Sequence, residues 1–317
     1  MAVRFTKVIE RNDVAPSESA AATFNLSEPV PAGMVEMVGL NMQYTSGGAS
    51  HAANEWGLLK TLTIIYNGNQ VFNLTDLAAA NTVTTIPALL ALVEDIGGYI
   101  TSSGDSDAVD SWLWIPLGIN LGGNSRVEVR CSFVTAAGTG ITAPRFSVWH
   151  KYGKSSSATV VGNATTVAMS AGSQTQAVIK VPSYPNATVS GIQIQSTTAN
   201  DMVNAIIKPL GDFTMTPEAI RANAGRNYGS GELYDYLDGA TLVQTDGSGS
   251  NSVFAALYDY SSADNSIIVL VEATTAENYS FTPVLKVPNG NGNGERTGMQ
   301  TASVATSGSK SILDRAE

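Results

Sequence analysis

The chain has 317 residues, of which only 14% are charged, and a net charge of −10. The length suits about two domains of ~150 residues each, and no Lys/Arg-rich run offers a footprint for counterion-release binding to nucleic acid. A single cysteine, Cys131, excludes an internal disulfide and a cysteine zinc cluster, and no apolar run reaches the ~18 residues of a membrane-spanning helix.

Polar surface must come from Ser, Thr, Asn, Gln and Gly, a composition that favours strands and turns. Residues 1–22 read as an N-terminal arm. Arg4, Lys7 and Arg11 alternate there with Val3, Phe5, Val8 and Ile9 as an edge strand or short helix, suited to tying neighbouring subunits or facing an anionic surface. The first 14 residues are charged throughout and lack an apolar h-region, so a soluble product made in the cytoplasm is expected.

A first module spans residues 23–153. Val38 to Thr45 alternates with period two, as a half-buried strand does. Leu58 to Tyr66 is a second strand and runs into Asn67-Gly68, a hairpin signal. Thr75-Asp76 reads as a helix N-cap. Pro87 to Ile96 reads as a short helix with Leu89, Leu90, Val93 and Ile96 on one face, ended by Gly97 and Gly98. Strands return at Ser111 to Ile119, Arg126 to Thr135 and Arg145 to Tyr152. Residues 154–172, rich in Ser, Thr, Ala and Gly, form a connection with room for one strand at Thr159 to Val161.

Residues 173–288 repeat the first module. Gly191 to Thr197 matches Gly39 to Thr45 at an offset of 152. Phe213 to Thr216 matches Phe72 to Thr75 at 141, with Pro217 opening a second copy of the helix. The offset of 141 also aligns Leu92 with Leu233, Ser111 with Ser252, Asn124-Ser125 with Asn265-Ser266 and Val127 with Ile268. Phe146 matches Phe281 at 135. The same order of elements therefore occurs twice. Residues 289–317 open with alternating Asn and Gly and read as a flexible tail.

About eight strands in each module, with short inserted helices, predict an all-β protein of two tandem eight-stranded jelly-roll barrels. An immunoglobulin-like sandwich fits less well, because it lacks mid-module helices and the Cys-Trp-Cys signature is missing.

Catalytic motifs are sparse. His51 and His150 sit in different contexts, and there is no HExxH, G-x-S-x-G or P-loop pattern. No enzyme is expected. A cupin would need clustered histidines. Asp105, Asp107 and Asp110 form the densest carboxylate cluster and are candidate oxygen ligands for Ca2+, without the EF-hand Gly and terminal Glu; the bland alternative is a solvated loop. Trp112 and Trp114, two apart, share one face of a strand. That pair suits core or inter-subunit packing, or a stacking platform for sugar.

Two segments carry a resemblance to a known family. WGLLKTLTIIY (Trp56 to Tyr66) followed by Asn67-Gly68, and the strand Trp112 to Leu117 with its WIPL ending, resemble segments of the double jelly-roll major capsid proteins. That family includes tailless, membrane-containing icosahedral bacteriophages of the tectivirus and corticovirus types. The resemblance covers roughly residues 23–288. It implies a virion shell protein made in the host cytoplasm that forms pseudo-hexagonal homotrimers. Its partners would be neighbouring capsomers, penton or minor capsid proteins and, through the N-terminal arm, an internal viral membrane. It implies no cofactor and no direct nucleic-acid binding. The competing reading is a carbohydrate- or surface-binding tandem β-sandwich of a tail or adhesin.

Overall fold

The period-two alternation is realised as strands in the computed structural model. It describes residues 4–12, 22–46, 56, 59–75, 92–93, 96–104, 109–133, 141–184, 186–197, 202–208, 252–260 and 266–289. The first half holds β1 (Arg4–Asn12), β2 (Ala22–Val30), β3 (Gly33–Ser46), β4 (Leu59–Tyr66), β5 (Asn69–Thr75), β6 (Tyr99–Gly104), β7 (Val109–Leu121), β8 (Ser125–Phe133) and β9 (Ile141–Tyr152). They form two antiparallel sheets, ordered β1-β9-β3-β7-β6 and β2-β8-β4-β5. Successive strands from β1 to β5 switch between the sheets or close a hairpin, which is the jelly-roll path.

The second half holds β10 (Ser157–Val161), β11 (Thr165–Ala168), β12 (Gln174–Lys180), β13 (Thr188–Ser196), β14 (Met202–Lys208), β15 (Ser252–Tyr260), β16 (Ser266–Ala273) and β17 (Asn278–Pro288). Its sheets are ordered β10-β17-β13-β15, with β11 also on β17, and β12-β16-β14. The two orders are the same once β1 is matched to β10 and β11, β2 to β12, β3 to β13, β4 to β14, β7 to β15, β8 to β16 and β9 to β17. The fold is all-β, two jelly rolls in tandem.

Alternation explains which side of each strand is buried. β8 buries Ser125, Val127, Val129, Cys131 and Phe133 and turns Arg126, Glu128 and Arg130 outward. The sheets of the first sandwich close over Leu40, Met42, Leu62, Ile64, Phe72, Phe146 and Val148, all fully buried. Phe133 meets Phe146 edge-on across the gap, centroids 6.4 Å apart. The Asn67-Gly68 signal is a tight turn between β4 and β5, with φ of +47° and +82°, the sign pattern of a type I′ hairpin. Asn67 Oδ1 accepts the Arg126 N–H at 2.7 Å and its Nδ2 donates to Ser125 Oγ at 3.2 Å, so the turn is docked on the start of β8.

Residues 4–12 form the edge strand that is one of their two readings, β1, paired with β9 from Arg4–Tyr152 to Asn12–Arg145, and buried Ile9 anchors it to the first sandwich. On it Phe5, Lys7 and Glu10 share the outward face with Lys151, Trp149 and Ser147, while Arg4 and Arg11 lie opposite Tyr152 and Phe146. Other expectations need correction. The connection 154–172 supplies two strands, β10 and β11, both paired with β17. The repeat offset also slips. Met42 pairs with Phe146 and Ser111; Ile194 pairs with Phe281 and Val253. Register thus supports offsets of 152 and 135 but moves Ser111 onto Val253, 142 positions on. Aligning Val127 with Ile268 would put a buried residue on one 38% exposed, whereas Val269 is fully buried. A one-residue slip swaps the faces of a strand.

The helices after Thr75 and after Thr216 lie outside the described residues. For the segment ending at Ile96, the described part is its last turn. Ile96 N–H bonds the Leu92 carbonyl at 3.0 Å and Gly98 N–H the Val93 carbonyl at 2.7 Å, the closure expected of a Gly-terminated helix. Of the tail, Asn289 is held, its Nδ2 donating to the Gly118 carbonyl at 2.8 Å; residues 290–317 lie outside the described residues.

The sandwiches touch where β10 lies against β5 and β7. Gly118 has φ of +63°, and a Cβ there would stand 2.2 Å from the Ser157 carbonyl oxygen, so only glycine lets β7 approach β10 so closely. Asn163 Oδ1, between β10 and β11, accepts from Gln70 at 2.6 Å and Asn73 at 2.9 Å, both on β5.

Candidate assembly surface

The residues of β1, β9, β3 and β7 that point away from the core form an aromatic slab. Strand pairing sets the rows: Lys7, Trp149, Gly39, Trp114 and Tyr99 run across the sheet, and Ser147, Asn41, Trp112 and Thr101 lie beside them. Trp112 and Trp114 do share a face. Their rings stack at 5.3 Å with 3° between planes. Trp149 meets Trp112 edge-on at 5.4 Å, and Phe5 meets Trp114 edge-on at 5.7 Å. Trp114 lies flat across Gly39, where a Cβ would sit 2.6 Å from its ring. The second sandwich repeats the device with Phe254 over Gly191, which is why those two glycines align.

One border of the slab is polar. Trp149 Nε1 donates to Ser147 Oγ at 2.9 Å, and Ser147 Oγ donates to Asn41 Oδ1 at 3.1 Å. Asn41 Nδ2 donates to Asp110 and to the Ser111 carbonyl, and Gln43 Nε2 reaches the other Asp110 oxygen at 3.3 Å. On the other border Lys7 lies over the Trp149 ring at 5.4 Å; Arg4 lies over the Tyr152 ring at 4.7 Å on the opposite, core-side face of the sheet. Trp114 is 7% exposed, Trp112 and Trp149 are half-buried, and Phe5 is 53% exposed. Gly39 and Trp112 thus enclose the Trp114 ring, while Phe5 and parts of Trp112 and Trp149 stay open to solvent.

Asp110 of the candidate Ca2+ cluster is tied to Asn41 and Gln43, whose amide donors take both carboxylate oxygens. Asp105 and Asp107 lie outside the described residues, as does His51. Among the described residues no three His, Cys, Asp or Glu side chains gather as metal ligands.

His150 is buried between the sheets rather than set in a cleft. Its Nε2 is 2.8 Å from Tyr66 Oη, and its Nδ1 is 3.4 Å from Tyr152 Oη, which itself donates to the Pro31 carbonyl at 3.0 Å. Burial holds the imidazole well below its usual pKa, down to about 3, and pushes the Tyr66 hydroxyl up. This is a neutral cross-sheet brace. Burial also pushes the Cys131 thiol up, far from the range of a reactive thiolate.

No family model and no curated protein matches the sequence. Solved structures do match. The chain is similar to the major capsid protein of STIV, Sulfolobus turreted icosahedral virus, with a TM-score of 0.55 and 13% identity, covering 91% of this chain and 97% of that one. It is also similar to the major capsid protein of bacteriophage PM2 (TM-score 0.49, 10% identity, 90% and 97% covered) and that of mavirus (0.32, 10%, 90% and 87%). At such identities the likeness to the STIV protein is one of fold, and it runs over nearly the whole chain.

Proposed function

We propose that this chain is a viral major capsid protein that assembles as a homotrimer, with six jelly rolls in a pseudo-hexagonal ring, into an icosahedral shell. The observation that carries the reading is the duplication: two sandwiches of one strand order in one chain, spanning the length of a capsid protein of the same fold. A duplicated barrel lets three chains present six similar edges, so one subunit type can tile a hexagonal lattice. On this reading the role is geometric rather than catalytic, and the protein belongs to the virion. Its partners are further copies of itself, neighbouring capsomers and the penton or minor capsid proteins that close the shell's vertices.

An internal membrane under the shell draws less support from residues 1–22 than their sequence suggests. Lys7 pairs with Glu10 at 3.0 Å and Arg11 with Glu28 at 2.8 Å, which leaves less free positive charge for an anionic lipid surface. The neighbours come from a Sulfolobus virus as well as a bacteriophage, so the fold does not single out a host. Light scattering on the purified chain, with negative-stain imaging of the particles, tests the proposal. Trimers with a six-lobed outline are expected. A stable monomer at micromolar concentration would sink it.

A further inference from the structure

A directed chain of hydrogen bonds crosses the first sandwich. It starts on β4, where the buried Tyr66 hydroxyl meets His150 Nε2 at 2.8 Å, and ends between β2 and β3, where Tyr152 Oη donates to the Pro31 carbonyl at 3.0 Å. A carbonyl only accepts, so that end sets the direction of the whole chain. With its proton committed to Pro31, Tyr152 Oη accepts from His150 Nδ1–H at 3.4 Å, and Nε2 then accepts from the Tyr66 hydroxyl. Both ring nitrogens are used and every proton has its place. A second proton on His150 would set an N–H donor against the Tyr66 hydroxyl, which is fully buried and must then turn its own proton away from its acceptor. The brace joins the two sheets, since Tyr66 belongs to one and His150 to the other. It also holds their margins: the Tyr152 ring packs against Gly33 at the start of β3, and Arg4 of β1 lies over it.

The second sandwich has apolar residues at these places. The offset of 135 that lays Phe146 on Phe281 puts Leu285 at the position of His150 and Val287 at that of Tyr152, both buried. The edge pairing agrees, with Thr6 opposite His150 and Val160 opposite Leu285. Among the described residues, the polar side chains buried in the second half are Thr159, Gln193, Gln195, Ser196, Ser280 and Thr282, none of which titrates. Its carboxylates with described side chains, Glu272 and Glu277, are only half-buried. Polar contacts between the halves run through amides: Asn163 with Gln70 and Asn73, Gln195 with the Thr75 carbonyl, and Asn289 with the Gly118 carbonyl.

We infer that the first sandwich is the acid-labile half of this chain: proton uptake at His150 opens it while the second sandwich stays folded. This holds for the chain whether or not it builds a shell. The titratable groups facing His150 are Tyr66 from β4 and Tyr152 from β9, with the Arg4 guanidinium of β1 beyond Tyr152; β3 faces it with Val38. None of them offers a negative charge to an imidazolium. Burial holds the folded ring neutral down to about pH 3, whereas an unfolded histidine takes its proton near 6.5, so opening becomes easier as pH falls below 6.5. From pH 7 to pH 4.5 the opening equilibrium of the first sandwich should rise on the order of 100-fold. Each sandwich closes its own pair of sheets, so one can open as a unit without the other.

Hydrogen–deuterium exchange of the full chain, read by mass spectrometry at pH 7 and pH 4.5 and corrected for the intrinsic pH dependence, tests this. Protection of β3, β4 and β9 should fall on the order of 100-fold, while β13, β16 and β17 keep theirs. His150→Gln still offers the Tyr66 hydroxyl an acceptor but removes the titration. In that variant the first sandwich should respond to acid no more than the second does. Nitrogen-15 NMR of the wild-type histidine rings depends on no variant: at about pH 5 the His150 ring should still be the neutral Nδ1–H tautomer. Both sandwiches losing protection together, an acid response unchanged in His150→Gln, or a cationic His150 ring in the folded protein at that pH would each overturn the acid-labile half.

Discussion

Acid should unlock the first sandwich through His150. Its ring is fully buried between the sheets, and the groups facing it from β4 and β9, Tyr66 and Tyr152, are both hydroxyls that stay neutral below pH 9. The folded pKa of about 3 lies below the unfolded value of about 6.5. The unfolded chain therefore binds a proton that the folded chain refuses. The stabilisation is complete above about pH 6.5 and is lost as pH falls from there toward 3, at about 1.4 kcal/mol per unit. Between pH 7 and pH 4.5 the sum is roughly 3 kcal/mol, a large part of a domain's ordinary 5–15 kcal/mol. Urea unfolding followed by tryptophan fluorescence measures it, with His150→Gln as the reference because a glutamine still offers the Tyr66 hydroxyl a partner. The variant should be less stable at neutral pH. The gap between wild type and variant should then shrink by roughly 3 kcal/mol on going to pH 4.5. A gap independent of pH would mean that His150 is protonated in place, and that the neutral brace is wrong.

Gly68→Ala should cost about 1 kcal/mol in the same assay, because nothing lies within 4 Å of the new Cβ and the whole penalty is the φ of +82°. Gly39→Val should cost more, about 1–3 kcal/mol, and change the near-ultraviolet circular dichroism, since the Trp114 ring must leave its seat. Gly118→Ala should loosen the joint between sandwiches, seen as faster proteolysis between β9 and β10. Cys131 should resist thiol reagents in the native protein and react once urea unfolds it, as burial and a raised pKa both dictate.

What was legible in the sequence was whatever a local pattern determines. Asn67-Gly68 specifies its turn because few other residue pairs take positive φ twice. The run from Arg126 to Phe133 specifies a strand because every second residue is apolar. What was not legible depends on which face lies against what. β1 was readable as an edge strand or a short helix, since its alternation slips between Lys7 and Ile9; the pairing with β9 that decides between them is a long-range fact that no local window contains. The shift from an offset of 141 to 142 has the same origin. Identities such as Ser111 with Ser252 reward the wrong register, and only the cross-strand partners Met42 and Ile194 expose it. The Trp112–Trp114 pair was visible as a shared face. The contributions of Phe5 and Trp149, from strands far apart in sequence, were not.

The two glycines under aromatic rings bear on how the duplication diverged. Gly39 and Gly191 sit at the same place in the two sandwiches, each roofed by a ring from the neighbouring strand, Trp114 on β7 and Phe254 on β15. A glycine in a strand interior costs stability unless something covers it, and a ring laid across it restores the lost packing. The copies thus share a structural solution beneath their outer faces and differ in what surrounds it. Around Phe254 lie Gln193, Gln195 and Thr282, each shielded from solvent within a single chain. Around Trp114 lie Trp112, Trp149 and Phe5, of which the two tryptophans are half-buried and Phe5 stays 53% exposed.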